Sequence, residues 1–445
     1  MPVLPEARGT VPLVSFRESP VSSALGALEP RTGRTTAQVL TYALWPIAIL
    51  TAVNRVIVKA VNGNITDDFR PVYDAALAFL NRREVYVANF DSVDPHYLYP
   101  PSGTLLIAPI AVLDPEKARW LYIGINAVAV VAALYLLLRL FDLSVTSVAA
   151  PAVLLAAFST ETVTNTLIFT NINGLLLLGE VLFMMLLLRK RQYWAGAAIG
   201  LTIAVKPTLA PLLLLPLVRK EWRVVVTAIG VPVVLTLLAL PLSVDPFAFV
   251  SHTVPYLLET RDYFNSSIVG NGLYYGLPAG LVVGLRVVFA AMVAVSLWLL
   301  WKYYRHDELF FVVTAGGLLL VASFLLASLG QMYYSMMLFP LLMSVVLRNS
   351  VMRNWPAWLA AYGFLSYDSW LVGRFPEFGR ALEYLRVTWG WSLLIVVVFA
   401  VLVNRYLTAK REGRLADGID PDFLTARPSV RTASPATTAS AADTH

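Results

Sequence analysis

The chain has 445 residues, of which 58% are apolar and 14% charged, with a net charge of +6 and a mean hydropathy of +0.68. Soluble domains carry roughly 25% charged residues, so this composition excludes an ordinary soluble enzyme and indicates a polytopic membrane protein. The lack of cysteine excludes disulfides, thiolate metal sites and cysteine nucleophiles. With four histidines, no transition-metal site and no cofactor is expected. The basic residues scatter over loops and tails rather than forming one stripe, which argues against nucleic acid as a partner.

In chain order, residues 1–36 are polar and without helical periodicity, and read as a disordered cytoplasmic tail. No apolar core follows a basic start, so a cleaved signal peptide is not expected. A span needs about 20 mainly apolar residues, fewer where the helix is buried in a bundle. Candidates lie at 39–58, 117–139, 145–160, 173–189, 192–206, 208–218, 223–244, 279–301, 309–329, 332–347, 355–371 and 385–407. The stretches 101–113 and 162–170 read as re-entrant or interfacial pieces. The expectation is therefore an all-α bundle of about twelve spans over 37–409, closed by a disordered cytoplasmic tail over 410–445 that ends in "TARPSVRTASPATTASAADTH". Lys and Arg cluster at 139, 189–191, 219–223, 302–305, 348–353 and 405–414. Cytoplasmic loops attract such clusters, so both termini are expected in the cytoplasm. The segments 59–116, 161–172, 245–278 and 372–384 then face outward.

The outward segments hold most of the unusual polar residues. In the first, Phe69, Val72, Tyr73, Ala76, Leu77 and Leu80 recur at helical spacing, with Pro71 in the first turn, where proline is tolerated. Two acids, Asp67 and Asp68, precede this helix. One can cap it; a second acid has no structural task there, and a catalytic base is the other reading. The stretch "DSVDPHYLYPPSG" supplies His96, Tyr97 and Tyr99. These suit either an aromatic belt at the membrane surface or a site for a hydroxyl-rich ligand. Glu161, Asn165, Asn171 and Asn173 end apolar segments, where they line a cavity or join helices. Lys206 stands before Pro207, either snorkelling to the surface or meeting a lipid phosphate. Arg261 and Asp262 are neighbours that can hold an anion-binding guanidinium. Asn265 lies beside them, and Gln331, Tyr333 and Tyr334 open a late span. No zinc-protease, nucleotide-binding or serine-hydrolase motif appears where it could act.

Taken together, "DDFRPVYDAALAF", "YPPSGTLLIAPIAVL", "TNINGLLLL" and "VKP" follow in an order that resembles the GT-C glycosyltransferases, which use polyprenyl-phosphate sugars. Further stretches, "NGNITDDFRPVY", "STETVTNT", "RDYFNSSIVGNG", "YYSMMLFP" and "VMRNWPAWL", resemble the mycobacterial arabinofuranosyltransferases that branch cell-wall arabinan. The resemblance implies a GT-C-type helix bundle with short periplasmic loop helices in the bacterial inner membrane. It implies inverting transfer of arabinofuranose from decaprenyl-phosphoryl arabinofuranose to an arabinan acceptor, making α-(1→3) branches on the periplasmic face. The acid before the hydrophobic residue that opens the first loop helix is then the base: Asp68, with Asp67 the alternative. Lys206 and Arg261 are expected on the donor phosphate. His96, Tyr97, Tyr99, Asn171, Asn173, Asn265, Tyr333 and Tyr334 are expected around the sugars, with no metal and no cofactor. The pattern departs from its relatives at "TNIN", where a Gln is common, and at "QMYYS", where many carry a His. A mannosyltransferase using polyprenyl-phosphomannose is the alternative within the class. A lipid-glycan transporter is the alternative outside it, disfavoured by the lack of an internal repeat.

Overall fold

The computed structural model describes residues 35–63, 68–92, 94–367, 373–416 and 419, and no strand occurs among them. Asp67 and most of both tails lie outside the described residues. Helix α1 (Thr36–Val53) starts with a capping box in which Thr35 and Gln38 satisfy each other's backbone amides, and it continues as a π-helical run over Asn54–Val61. The first outer segment folds into α2 (Phe69–Leu80) and α3 (Pro101–Ile107). Then come α4 (Pro115–Leu140), α5 (Ala149–Phe158), α6 (Glu161–Ile168), α7 (Asn173–Leu188), α8 (Gln192–Val205) and α9 (Trp222–Ala239). The second half holds α10 (Ile268–Tyr274), α11 (Ala279–Leu299), α12 (Glu308–Leu326), α13 (Trp355–Leu365) and α14 (Pro376–Arg411).

Among the described residues, six helical stretches are long and apolar enough to cross a membrane: 36–61, 115–140, 222–242, 279–304, 308–326 and 376–411. Six shorter apolar ones lie at 101–112, 149–158, 173–188, 192–205, 207–218 and 332–346. Of the twelve expected spans, six coincide with the long helices and five with shorter ones, while the remaining shorter stretch, 101–112, falls where a re-entrant piece is expected and the expected span 355–371 is represented by α13 alone; length alone does not carry the short ones across. The reason is visible in two of them. Pro207 and Pro211 turn the stretch 207–213 into a 3-10 helix before α-helix resumes at Leu214, because proline removes a backbone donor. Residues 332–346 likewise mix 3-10 and α turns. The last helix corrects the sequence reading in the other direction. It begins at Pro376 rather than 385, so most of the expected outer segment 372–384 is its first three turns.

The core is continuous through the bundle, with Phe158, Phe183, Phe310, Phe324, Phe364 and Trp391 fully buried. Helices approach closely where side chains are small. Gly196 and Gly200 of α8 leave no room for a Cβ against Val224 and Ala228 of α9, the small-xxx-small contact typical of membrane helices. Gly363 and Gly390 do the same between α13 and α14. Short segments gather at one end of the bundle: α2, α3, the residues after α8, the loop before α10, and 331–338.

Candidate active site

The local fold at that end follows from the sequence pattern. Phe69, Val72, Tyr73, Ala76 and Phe79 bury one face of α2, while Leu80, expected inside, is 44% exposed at its end. Phe69 packs 6.0 Å from the Tyr122 ring of α4, and Tyr73 donates to the Leu113 carbonyl at 2.8 Å. Asp68 occupies the cap position of α2, but its side chain makes no capping hydrogen bond and its backbone is already helical. The capping reading of this acid is therefore wrong. The Asp68 charge instead bears on three phenols: Tyr99 from the first loop, Tyr122 from α4 and Tyr333 from the late segment. Burial, the neighbouring Tyr122 and then Asp68 hold the Tyr99 phenol well above its ordinary pKa, so it stays a neutral donor beside the carboxylate.

The two cations come from different segments. Lys206 follows α8 in extended backbone, the conformation that a following proline favours. Its ammonium lies over two rings, 4.7 Å from Tyr334 and 5.4 Å from Tyr333. It is thus turned onto the aromatic floor of the site rather than snorkelling away. Arg261 sits over Tyr256 at 5.5 Å and Tyr263 at 5.7 Å and donates to the Tyr256 hydroxyl at 3.3 Å. The group that holds it is therefore Tyr256, not the neighbouring Asp262. Its charge also reaches Tyr333. Cation–π contacts of this kind contribute about 0.5–2 kcal/mol, and among the described residues no carboxylate forms an ion pair with Lys206 or Arg261. Lys206 thus lies over the Tyr333 ring, while Asp68 and Arg261, far from it in sequence, act on the same phenol through their charges.

The other expected residues divide. His96 is half-buried, its Nε2 3.1 Å from the Ser92 carbonyl, its ring edge-on to Phe90 and Tyr256. Tyr97 is buried and bonded to Thr104 at 2.8 Å, so it supports Tyr99, whose ring lies 5.5 Å away. Tyr333 donates to Gln331. Asn171 and Asn173 are interior residues. Asn171 accepts from the Asn173 amide at 3.1 Å, and both Asn173 side-chain polar atoms are buried without a protein partner. They shape the start of α7 and do not line an open surface. Thr170 before them is a β-branched residue at φ 52°, a strained conformation that needs a packed surrounding to persist.

Asn265 corrects the sequence reading outright. Its Oδ1 accepts from the Ser267 and Gly330 amides at 3.0 Å each. Its Nδ2 donates to the Arg261 carbonyl at 2.9 Å and the Ser328 carbonyl at 2.8 Å. An amide has two donors and two acceptor positions, so nothing is left for a sugar. Asn265 ties the Arg261 loop to the segment leading to Tyr333.

Sequence reasoning singled out none of Tyr122, Tyr256 and Arg386, and left Glu161 open between lining a cavity and joining helices. Glu161 of α6 forms a buried ion pair with Arg386 of α14, and that arginine also reaches the Ser366 carbonyl and the Met332 sulfur. The pair braces the segment that carries Tyr333. The only signal available was that each is a charge within an apolar stretch.

A sequence model of glycosyltransferase family 87 matches residues 97–328. The α-(1→3)-arabinofuranosyltransferase of Mycolicibacterium smegmatis is 57% identical over 93% of this chain and 97% of its own length. That of Mycobacterium tuberculosis is 56% identical over 92% and 96%, and that of Corynebacterium glutamicum is 42% identical over 86% and 91%. No solved structure matches the chain. A bundle with helices long and apolar enough to cross a membrane, and relatives alike over almost their full length, make this chain a glycosyltransferase that belongs to family 87.

Proposed function

We propose that the chain transfers arabinofuranose from decaprenyl-phosphoryl arabinofuranose to arabinan, forming α-(1→3) branches with inversion. The site faces the periplasm, with both termini in the cytoplasm of a bacterial inner-membrane protein. The observation that supports the chemistry is that Lys206 lies over the Tyr333 ring while the charges of Asp68 and Arg261 act on the same phenol. The near full-length likeness to arabinofuranosyltransferases supports the choice of sugar and linkage. The Lys and Arg clusters at the opposite end support the orientation.

The reaction has three demands. The acceptor hydroxyl must lose its proton, and a carboxylate takes it: Asp68. Asp68 is chosen because it directly precedes Phe69, which opens α2, with Asp67 the alternative. The hydroxyl oxygen then bonds to the anomeric carbon on the face opposite the phosphate. As it does, the bond from that carbon to the phosphate oxygen breaks and its electron pair stays on the phosphate. Negative charge builds on the departing lipid phosphate, where fixed cations act most strongly. Lys206 and Arg261 supply them, and because tyrosine faces rather than carboxylates hold both, their charge is not spent before the donor arrives. Tyr99 and His96 are the accessible hydrogen-bonding groups for the sugars. Asn171, Asn173 and Tyr97 act behind them by fixing the walls.

The test is direct. Membranes containing the protein are incubated with decaprenyl-phosphoryl arabinofuranose and a short linear α-(1→5) arabinan, and product linkages are mapped. A new 3,5-linked branch residue is the expected outcome. Transfer from a polyprenyl-phosphomannose donor instead, or no transfer by a folded preparation, overturns the reading.

A further inference from the structure

The loops that carry the site also form an acidic hollow beside it. A cleft of about 560 Å³ opens between residues 86–91, which follow α2, and 245–252, which follow α9. That volume is within the usual range for small-molecule sites. Three side chains fix the two walls against each other. Arg82 donates to the Pro241 and Leu242 carbonyls at 3.2 and 2.8 Å. His252 donates from Nε2 to the Ala88 carbonyl at 2.9 Å. The Tyr86 ring lies 5.5 Å from that of Phe249. The wall that carries His252 is a π-helical turn, Phe249–Thr253, a local widening found mostly at functional positions.

The lining suits a neutral, hydroxyl-rich ligand and repels an anionic one. Asn89, Asp91, Asp245 and His252 line the cleft and are exposed. Among the described residues, the Asp91 carboxylate has neither a hydrogen bond nor an ion pair. Asp245 uses Oδ1 on the Phe247 and Ala248 amides at 3.3 and 3.1 Å, and its Oδ2 has no partner among them. An ionised carboxylate accepts hydrogen bonds and donates none, so these two collect hydroxyls and turn phosphate away. Half-buried Phe90 and buried Tyr86 supply apolar ring surface beneath. Of the two substrates proposed above, the donor carries a phosphate charge and arabinan carries none. The charge of the cleft therefore selects the acceptor.

Two runs of aromatic rings join the cleft to the reaction centre. Phe90 lies 4.8 Å from the His252 ring and stacks on Tyr256 at 4.1 Å, and Tyr256 accepts from Arg261 at 3.3 Å. Tyr86 lies 6.0 Å from Tyr97, which lies 5.5 Å from Tyr99. We propose that this cleft seats the arabinan chain beyond the furanose that reacts, so that the enzyme grips its acceptor away from the bond it makes. The proposal rests on the reading above that the acceptor is arabinan. Binding energy gained in the cleft then holds the reacting hydroxyl in place, and acceptor length as well as the reacting ring decides where a branch is set.

Acceptor length tests it. The full chain is reconstituted in phosphatidylglycerol nanodiscs, and linear α-(1→5) arabinans of two and six residues are titrated by saturation-transfer NMR without donor. Wild type is expected to bind the longer chain roughly tenfold more tightly, the change that one hydrogen bond to a carboxylate supplies. Asp91→Asn combined with Asp245→Asn, which keeps an oxygen for the Phe247 and Ala248 amides, is expected to remove most of that preference. His252→Gln, which keeps a donor for the Ala88 carbonyl, weakens the longer chain several-fold. In both variants the Kd of the two-residue chain stays at the wild-type value, which also shows that they fold. A six-residue Kd unmoved in both variants overturns the proposal. So does an equal loss for both lengths with thermal stability retained, or displacement of the longer chain by phosphocholine, which would make the cleft a headgroup site. Binding is read without turnover, so the two readings fail separately. A wild type that prefers the longer chain but forms no branch would sink the functional reading and leave the cleft standing, and branching without any length preference would do the reverse.

Discussion

Helix α8 carries a lysine beyond each end, and the two keep different company. Lys190, before its first turn, bonds both Glu308 oxygens at 2.6 and 2.8 Å. Arg219 joins the same cluster, 2.9 Å from Glu308 and 3.0 Å from Glu221. There each positive charge meets a carboxylate. Lys206, about 21 Å away along the helix axis at 1.5 Å per residue, rests on the faces of Tyr333 and Tyr334. The first arrangement closes a structure: Lys190 and Arg219 are satisfied by Glu221 and Glu308. The second leaves positive charge available in a place shielded from water. The same residue type thus does structural work at one end and chemical work at the other, and the difference is set by what lies opposite it.

Substitutions can break or sharpen that contrast. The largest effect is expected on the acid that faces the uncompensated cations. Asp68→Asn should lower kcat about 10²–10⁴-fold, the usual loss for a general base, with the protein still folded, since Asn keeps the shape of the acid and removes only its charge. A Tm drop of several degrees with activity retained would make Asp68 structural. Next, Lys206→Gln should raise donor KM with acceptor KM unmoved. Loss of a hydrogen bond to a charged group costs about 1.5–3 kcal/mol, and unaltered donor KM and kcat would remove Lys206 from the phosphate. The smallest effect belongs to the other end of the helix. Lys190→Gln should change stability by at most about 1 kcal/mol, since Lys190 is half exposed and Arg219 still holds Glu308, and should leave both KM values alone. A Lys190 variant as damaging as the Lys206 variant would erase the contrast.

Much of this was legible in the chain. The 3.6-residue spacing from Phe69 onward announces α2, and the acid before it, the lysine before Pro207 and the arginine at 261 come to one place. What stayed hidden depends on distant partners. Asn265 reads as a ligand contact until both ends of its amide are seen bound to segments 63 and 65 residues away. Glu161 finds Arg386 across 225 residues, a separation no local pattern encodes. The early start of α14 at Pro376 was hidden for another reason. Its first turns carry Glu377, Arg380 and Glu383, and hydropathy marks where a helix is apolar, not where it begins. The break at 207–213 has its cause in plain view as two prolines, yet an apolar run reads as a span whatever its backbone does.

The Asn265 tie has a consequence for how this end of the protein comes apart. In a chain without cysteine, it holds together loops that a secreted protein would cross-link covalently. A covalent link persists after unfolding and lowers the entropy of the unfolded chain. Four hydrogen bonds vanish with the fold and leave that entropy untouched, so the closure of this 63-residue loop must be won anew each time the chain folds. The tie is also all or nothing, since rotating one amide releases four contacts at once. Local opening there should free the Arg261 loop and the Tyr333 segment as one unit, and the exchange of the Ser267 and Gly330 amide protons with solvent should follow a single rate.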